Sequence, residues 1–359
     1  MKEISLFCPY VPKKDILKNL DETLSTKWIG QGPKVKEFEE QFNKTMNYKY
    51  SVMTNSGTSA LELSYHLIGL TQGDEVIAPI LNCTAGLMAL KRLGVNIIFA
   101  DIDENLTIDP IDIERKITAK TKAIMGVHLG GIEFSKEVNH IANKYNLSLI
   151  TDSAQHHKHC TGDYICYSFQ AIKHITTGDG GMLILNNEKE YNRAKLLRWF
   201  GIDRDKKEKN NFQAWKHRQM TFDIEEAGFK FQPTDIDACF GLAALPHLSD
   251  IIEKRKSLSL LYNKLLPLDK CIPIYGGSYW LFGILTDQRD ELAQFLMTKK
   301  IETNLIHLRN DIFSIFGGKR QDLKYMNNIE SKYLYLPLHT NINEADVEYI
   351  CNTIREFYE

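Results

Sequence analysis

Between residues 50 and 186, seven short apolar runs recur at intervals long enough to hold helices, and this rhythm constrains the fold most. The runs are 50–53, 75–78, 96–100, 123–127, 147–151, 164–168 and 182–185. Most carry apolar side chains at successive positions, as strands covered on both faces do. Helical spacing fills the stretches between them. In 135–145, Val138, Ile141, Ala142 and Tyr145 stand at i, i+3, i+4 and i+7, which predicts one amphipathic helix. Strands separated by helices imply an α/β fold with a mainly parallel sheet. Ligands on such sheets gather at the carboxyl ends of the strands.

The pattern changes after Gly201. Residues 201–221 carry Arg204, Lys206, Lys207, Lys209, Lys216 and Arg218 with few aliphatics. They read as a long loop, either solvated or touching an anionic substrate. Helices are expected over 233–245, 248–266 and 344–357, the last with Asn343 as N-cap and Val347, Ile350, Ile354 and Phe357 on one face. A chain of 359 residues suffices for two cores. The expected division is a large domain over 1–245, including the N-terminal segment, and a small C-terminal α+β domain over 246–359. A net charge of -2 argues against a nucleic-acid partner. No apolar run approaches the roughly 20 residues of a membrane span, and the start lacks a secretory core. Seven cysteines without a CxxC pair fit reduced thiols in a cytoplasmic enzyme.

Chemistry concentrates at two strand ends. Lys173 follows the apolar run 164–169 and precedes a turn dense in Thr and Gly, Thr176-Thr177-Gly178-Asp179-Gly180-Gly181. Asp152, 21 residues earlier, ends the run 147–152. An amine and a carboxylate so placed are the two groups that pyridoxal phosphate needs. The amine forms the Schiff base, and the carboxylate keeps the pyridine nitrogen protonated. Taken singly, Lys173 reads equally as a surface lysine and Asp152 as a cap or turn former. A third stretch, Asn55-Ser56-Gly57-Thr58-Ser59-Ala60-Leu61, leaves a strand and opens a helix, where free N–H groups suit a phosphate or serve as an ordinary cap. Gln155, His156, His157, His159 and Cys160 follow Asp152, but no second ligand group gives them metal-site spacing.

In this order and spacing the three stretches resemble the DegT/DnrJ/StrS family of pyridoxal-phosphate-dependent nucleotide-sugar aminotransferases. The resemblance also takes in Trp28-Ile29-Gly30-Gln31-Gly32-Pro33, Gly73-Asp74-Glu75-Val76-Ile77, Thr234-Asp235-Ile236 and Leu334-Tyr335-Leu336-Pro337-Leu338-His339. It implies the aspartate-aminotransferase-like fold (fold type I), a seven-stranded sheet followed by a smaller α+β domain. By the same resemblance Lys173 would be the Schiff-base lysine and Asp152 the partner of the pyridine nitrogen. Gln155 would lie against the cofactor ring or its 3-hydroxyl, and Gly57, Thr58 and Ser168 would hold the phosphate. Lys230 would reach the phosphate of a neighbouring subunit, so a homodimer with shared sites is implied. Glutamate would donate the amine, leaving as 2-oxoglutarate, and a nucleotide-linked keto sugar would receive it at C3 or C4, in amino-sugar and surface-glycan biosynthesis.

Three positions depart from the family pattern. Cys83 stands where many members stack an aromatic residue on the pyridine ring, Lys230 replaces a common Asn, and Gln232 replaces a frequent Arg. Some members with histidine at the lysine position act as sugar dehydratases; Lys173 favours transfer over that alternative. A non-catalytic regulator would carry an added DNA-binding segment or basic face. Candidate contacts to the sugar or its diphosphate are Trp28, Gln31, His128, His307, Arg309 and His339. Arg309 leads because its fork suits phosphate oxygens.

Overall fold

The computed structural model describes residues 3–203 and 223–359. Most of the basic stretch 201–221 therefore lies outside the described residues. All seven apolar runs form strands: β1 (Tyr50–Thr54), β2 (Glu75–Pro79), β3 (Asn96–Ala100), β4 (Thr121–Val127), β5 (Ser148–Asp152), β6 (Tyr164–Ser168) and β7 (Gly181–Leu185). They make one sheet in the order β1-β7-β6-β5-β4-β2-β3. Five of the strands, β6, β5, β4, β2 and β3, run parallel. β7 opposes both of its neighbours. The reason is local: the link from β6 to β7 holds no helix, and a parallel return needs a long crossover. That link is the Lys173 loop, so it stays at the carboxyl end of β6.

Alternate strand residues feed two cores. Val52, Val76, Ala123, Ile150, Cys166 and Leu183 face one side with the helix α3 (Gly57–Ile68). Met53, Ile165, Tyr167, Met182 and Ile184 face the other, against Phe38 and Phe42. The predicted amphipathic helix is present over Glu137–Lys144, with Val138, Ile141 and Ala142 buried. The helix Asp235–Ala244 starts at a capping box between Thr234 and Asp237. Buried Asp235 takes the amides of Gly32, Lys34 and Val35 at 2.8–3.1 Å, so this motif residue caps the helix Pro33–Met46.

A second sheet joins β8 (Ile272–Ile274), β9 (Phe282–Leu285) and β10 (Tyr333–Leu336) in the order β10-β9-β8, all antiparallel. The helix Glu344–Tyr358 covers it and begins, as expected, at Asn343, which forms a capping box with Asp346. The two cores are stitched together in two places. In the helix Leu248–Leu265, Leu248 and Ile252 pack into the large core while Leu258 and Tyr262 pack into the small one. The N-terminal segment also crosses: Ile4 bridges Ile301 in the small core and Leu6 enters the large one.

Candidate active site

The site forms where β5 and β6 end and α3 begins. α3 is capped by Ser56, whose hydroxyl accepts the Ser59 amide at 3.0 Å. The preceding amides, those of Gly57 and Thr58, have no acceptor within the helix and point at its mouth. Gly57 is required there: a Cβ would stand 2.8 Å from the Ser168 Cβ. Gly181 is pressed as closely against the Ser56 carbonyl. Backbone, Ser168 hydroxyl and helix N-terminus thus form one small cradle suited to an anion.

Lys173 is positioned by its own loop, which follows β6. Its amide donates to Gln170 O at 2.9 Å, while the Thr176 hydroxyl and the Thr177 amide both donate to Phe169 O at 2.9 Å. Burial pushes the Lys173 amine down to about 8, against the opposing pull of Asp152 and Cys83. Asp152 moves the other way: burial raises its carboxyl, opposed by the Ala154 amide and by Lys173. Each group therefore feels the other across the site. Cys83 is exposed, begins the helix Thr84–Arg92, and is near enough for its charge to act on Lys173.

Gln155 and His307 come together although 152 residues separate them. The Gln155 amide oxygen accepts the Gly130 amide at 2.7 Å, which fixes its orientation. Its nitrogen then donates to His307 Nε2 at 2.8 Å. Burial, with Lys173 nearby, pushes the His307 imidazole down to about 3, so a neutral ring accepts that bond.

One neighbour of Lys173 carried no sequence signal. The Trp280 ring lies 4.2 Å from the Lys173 ammonium, and its indole N–H donates to Ile172 O at 3.1 Å. Phe7 stacks on it with ring centroids 5.4 Å apart. Trp280 belongs to the segment 276–281, which links β8 to β9 and packs into the core of the seven-stranded sheet, and nothing in its local spacing distinguishes it from a core residue.

Two residues expected at the substrate are engaged by the protein itself. Arg309 has its guanidinium occupied. It is buried, pairing with Asp311 through two bonds of 2.6 and 2.7 Å and with Glu330 at 2.7 Å, and it also donates to Asn327 and the Arg320 carbonyl. Its fork already holds carboxylates. His339 is buried too; one ring nitrogen meets Ser5 O at 3.0 Å and the other the Asn341 amide at 3.2 Å, tying the N-terminal segment down. His128 stacks on Phe134 and accepts its amide. Trp28 is exposed, with its indole N–H on Gln31 O. It lines a cavity of about 910 Å³ with Gln31, Lys36, Tyr191, Lys195 and Arg198, and Lys173 is not among the lining residues. Lys230 is exposed beside Asn55, whose side chain donates to its carbonyl at 3.3 Å.

An amine of lowered basicity, a carboxylate and an anion cradle in one cleft are what a phosphorylated aldehyde cofactor requires. Residues 11–355 match the model of the DegT/DnrJ/EryC1/StrS aminotransferase family. The chain belongs to that family. Over 376 residues the aminotransferase is 31% identical to GDP-perosamine synthase of Escherichia coli O157:H7, covering 100% of this chain and 99% of that one. It is 29% identical, over 96% and 94% of the two chains, to dTDP-4-dehydro-2,3,6-trideoxy-D-glucose 4-aminotransferase of Saccharopolyspora spinosa. The crystal structure of AtS13 from Actinomadura melliaura superposes with a TM-score of 0.90 at 28% identity, covering 99% of both chains. The enzyme is a pyridoxal-phosphate-dependent aminotransferase, and the donor set around Lys173 fits that cofactor. Among the described residues no helix is long and apolar enough to cross a membrane.

Proposed function

We propose that this aminotransferase moves an amino group from glutamate to the ketone of a nucleotide-linked keto-deoxy sugar, at C3 or C4, for amino-sugar and surface-glycan synthesis. The observation that carries the reading is the electrostatic coupling of buried Lys173 and Asp152 in a chain 31% identical, end to end, to a GDP-perosamine synthase. When bound, pyridoxal phosphate supplies an electron sink that lets a proton leave the carbon bearing nitrogen. Asp152 would keep the pyridine nitrogen protonated, which deepens that sink. The Lys173 amine would hold and move the proton that leaves the substrate carbon. With its pKa lowered to about 8, a minor fraction of it is neutral and basic near physiological pH, far more than an unperturbed lysine would offer. The Gly57 and Thr58 amides and the Ser168 hydroxyl anchor the phosphate, and Gln155 orients the ring.

Within the same reading Lys230 reaches the phosphate of a second copy, and the working unit is a cytoplasmic homodimer. Trp28 and His307 remain the sugar contacts, His307 from its place beside Gln155. A sugar dehydratase of this family would need histidine where Lys173 stands. The deciding experiment incubates the enzyme with GDP- and dTDP-linked 3-keto and 4-keto sugars and glutamate. Amino sugar appearing in step with 2-oxoglutarate is expected; deoxygenated sugar, or neither product, would reject the proposal.

A further inference from the structure

His157 and His174 form a buried ring pair directly behind the Lys173 loop. Their Nδ1 atoms lie 3.0 Å apart. The outer nitrogens both meet backbone carbonyls: His157 Nε2 is 3.0 Å from Ser168 O, and His174 Nε2 is 2.8 Å from Ser278 O. A carbonyl only accepts, so each Nε2 must carry a proton. The Nδ1 contact needs one more, or two lone pairs face each other at hydrogen-bonding distance. Four nitrogens therefore call for three protons, whereas two neutral imidazoles hold two. Any neutral arrangement leaves a lone-pair clash at Ser168, at Ser278 or between the rings.

The third proton brings a positive charge into the interior. Burial holds both rings well below the ordinary histidine range, and the charged groups that face the pair oppose the proton too: Arg255 and His156 act on both rings, and Lys173 on His157. Tyr167 and Phe169 flank His157 with their rings and supply no compensating anion. The missing counter-charge has an obvious seat. Ser168, whose carbonyl His157 holds, turns its hydroxyl toward the cradle at the α3 N-terminus.

We propose that His157 and His174 together take up one proton when the cofactor's phosphate dianion settles at Gly57, Thr58 and Ser168. The pair then acts as a positioning element. With all three bonds made, it locks the end of β6 and the Lys173 loop to Ser278 of the small domain. This rests on the pyridoxal-phosphate reading above and adds a proton linkage to it.

The test titrates cofactor-free protein with pyridoxamine 5′-phosphate, which has the phosphate but no aldehyde. Calorimetry at about pH 8, where the phosphate (second pKa about 6) is already a dianion, is run in two buffers of different ionisation enthalpy. Wild type is expected to take up about one proton more than His174→Asn, the pyridine contribution cancelling in the difference; equal uptake overturns the proposal. Nitrogen-15 histidine spectra of the wild-type protein test it without a variant. On binding, both Nε2 atoms should be protonated and one far-downfield proton shared by the Nδ1 atoms. Two neutral rings in the bound state overturn it. Failure to bind pyridoxamine phosphate at all overturns the cofactor reading itself, and the pair's role with it.

Discussion

Lys173 and Arg309 are both cations drawn into the interior, yet they do opposite jobs. Arg309 meets Asp311, Glu330, Asn327 and a carbonyl, and these partners hold its charge in place. Lys173 meets one aspartate across the site, a thiol and the face of Trp280, and burial wins. A saturated cation fixes the chain; an under-compensated one loses basicity and becomes available for chemistry. The contrast separates the two more sharply than residue type does, since both side chains are simply cations in the sequence.

The comparison breaks most visibly at Lys173. Lys173→Ala should cut amine transfer by roughly 10²–10⁴-fold or more, the share of a positioned proton-transfer group. Cofactor should still bind without its covalent link, as read by product mass spectrometry and by absorbance after gel filtration. Full activity in that variant would reject the assignment. Arg309→Ala should show the opposite profile. Leaving Asp311 buried without its partner should cost about 3–5 kcal/mol of stability in chemical denaturation. A variant with unchanged stability but raised KM would restore Arg309 to the substrate site.

Asp152→Asn tests the weaker partner. It keeps the shape while removing the charge, and turnover should fall roughly 10²-fold with the fold intact, as for loss of one electrostatic group at a reacting centre. The smallest effect is on pH. The folded-state pKa of Lys173 lies at about 8, below its ordinary value. The rate at which cofactor-free enzyme captures pyridoxal phosphate should therefore rise through about pH 8 and then level off. A rate still climbing above pH 10 would mean an amine that behaves as in water. The linkage sign is the same: between pH 8 and the ordinary lysine range the unfolded chain binds the additional proton, so this group's cost to stability fades as pH rises.

Much of this was readable before any coordinates. Strand positions followed from two-sided apolar runs, because burial on both faces leaves little room for polar residues. The Asn343 cap and the helix Glu137–Lys144 followed from local hydrogen bonding and period alone. Lys173, Asp152 and the Gly57 turn stood out because each sits at a chain-local boundary between strand and loop. Arg309 and His339 show where such reading stops. A fork-shaped cation or an imidazole says nothing about which groups surround it, and Asp311, Glu330, Ser5 and Asn341 were assembled around them only by folding.

The order of residues thus settled the sheet, the helix ends, and the strand-end places of Lys173 and Asp152, all of which depend on near neighbours. Tertiary structure alone decided how strongly each charge is compensated. It brought Trp280 over Lys173 and His307 onto Gln155, and it enclosed two imidazoles between the carbonyls of Ser168 and Ser278. Desolvation and Coulomb interaction depend on distance in space, and segments more than a hundred residues apart meet here without any local pattern to announce it.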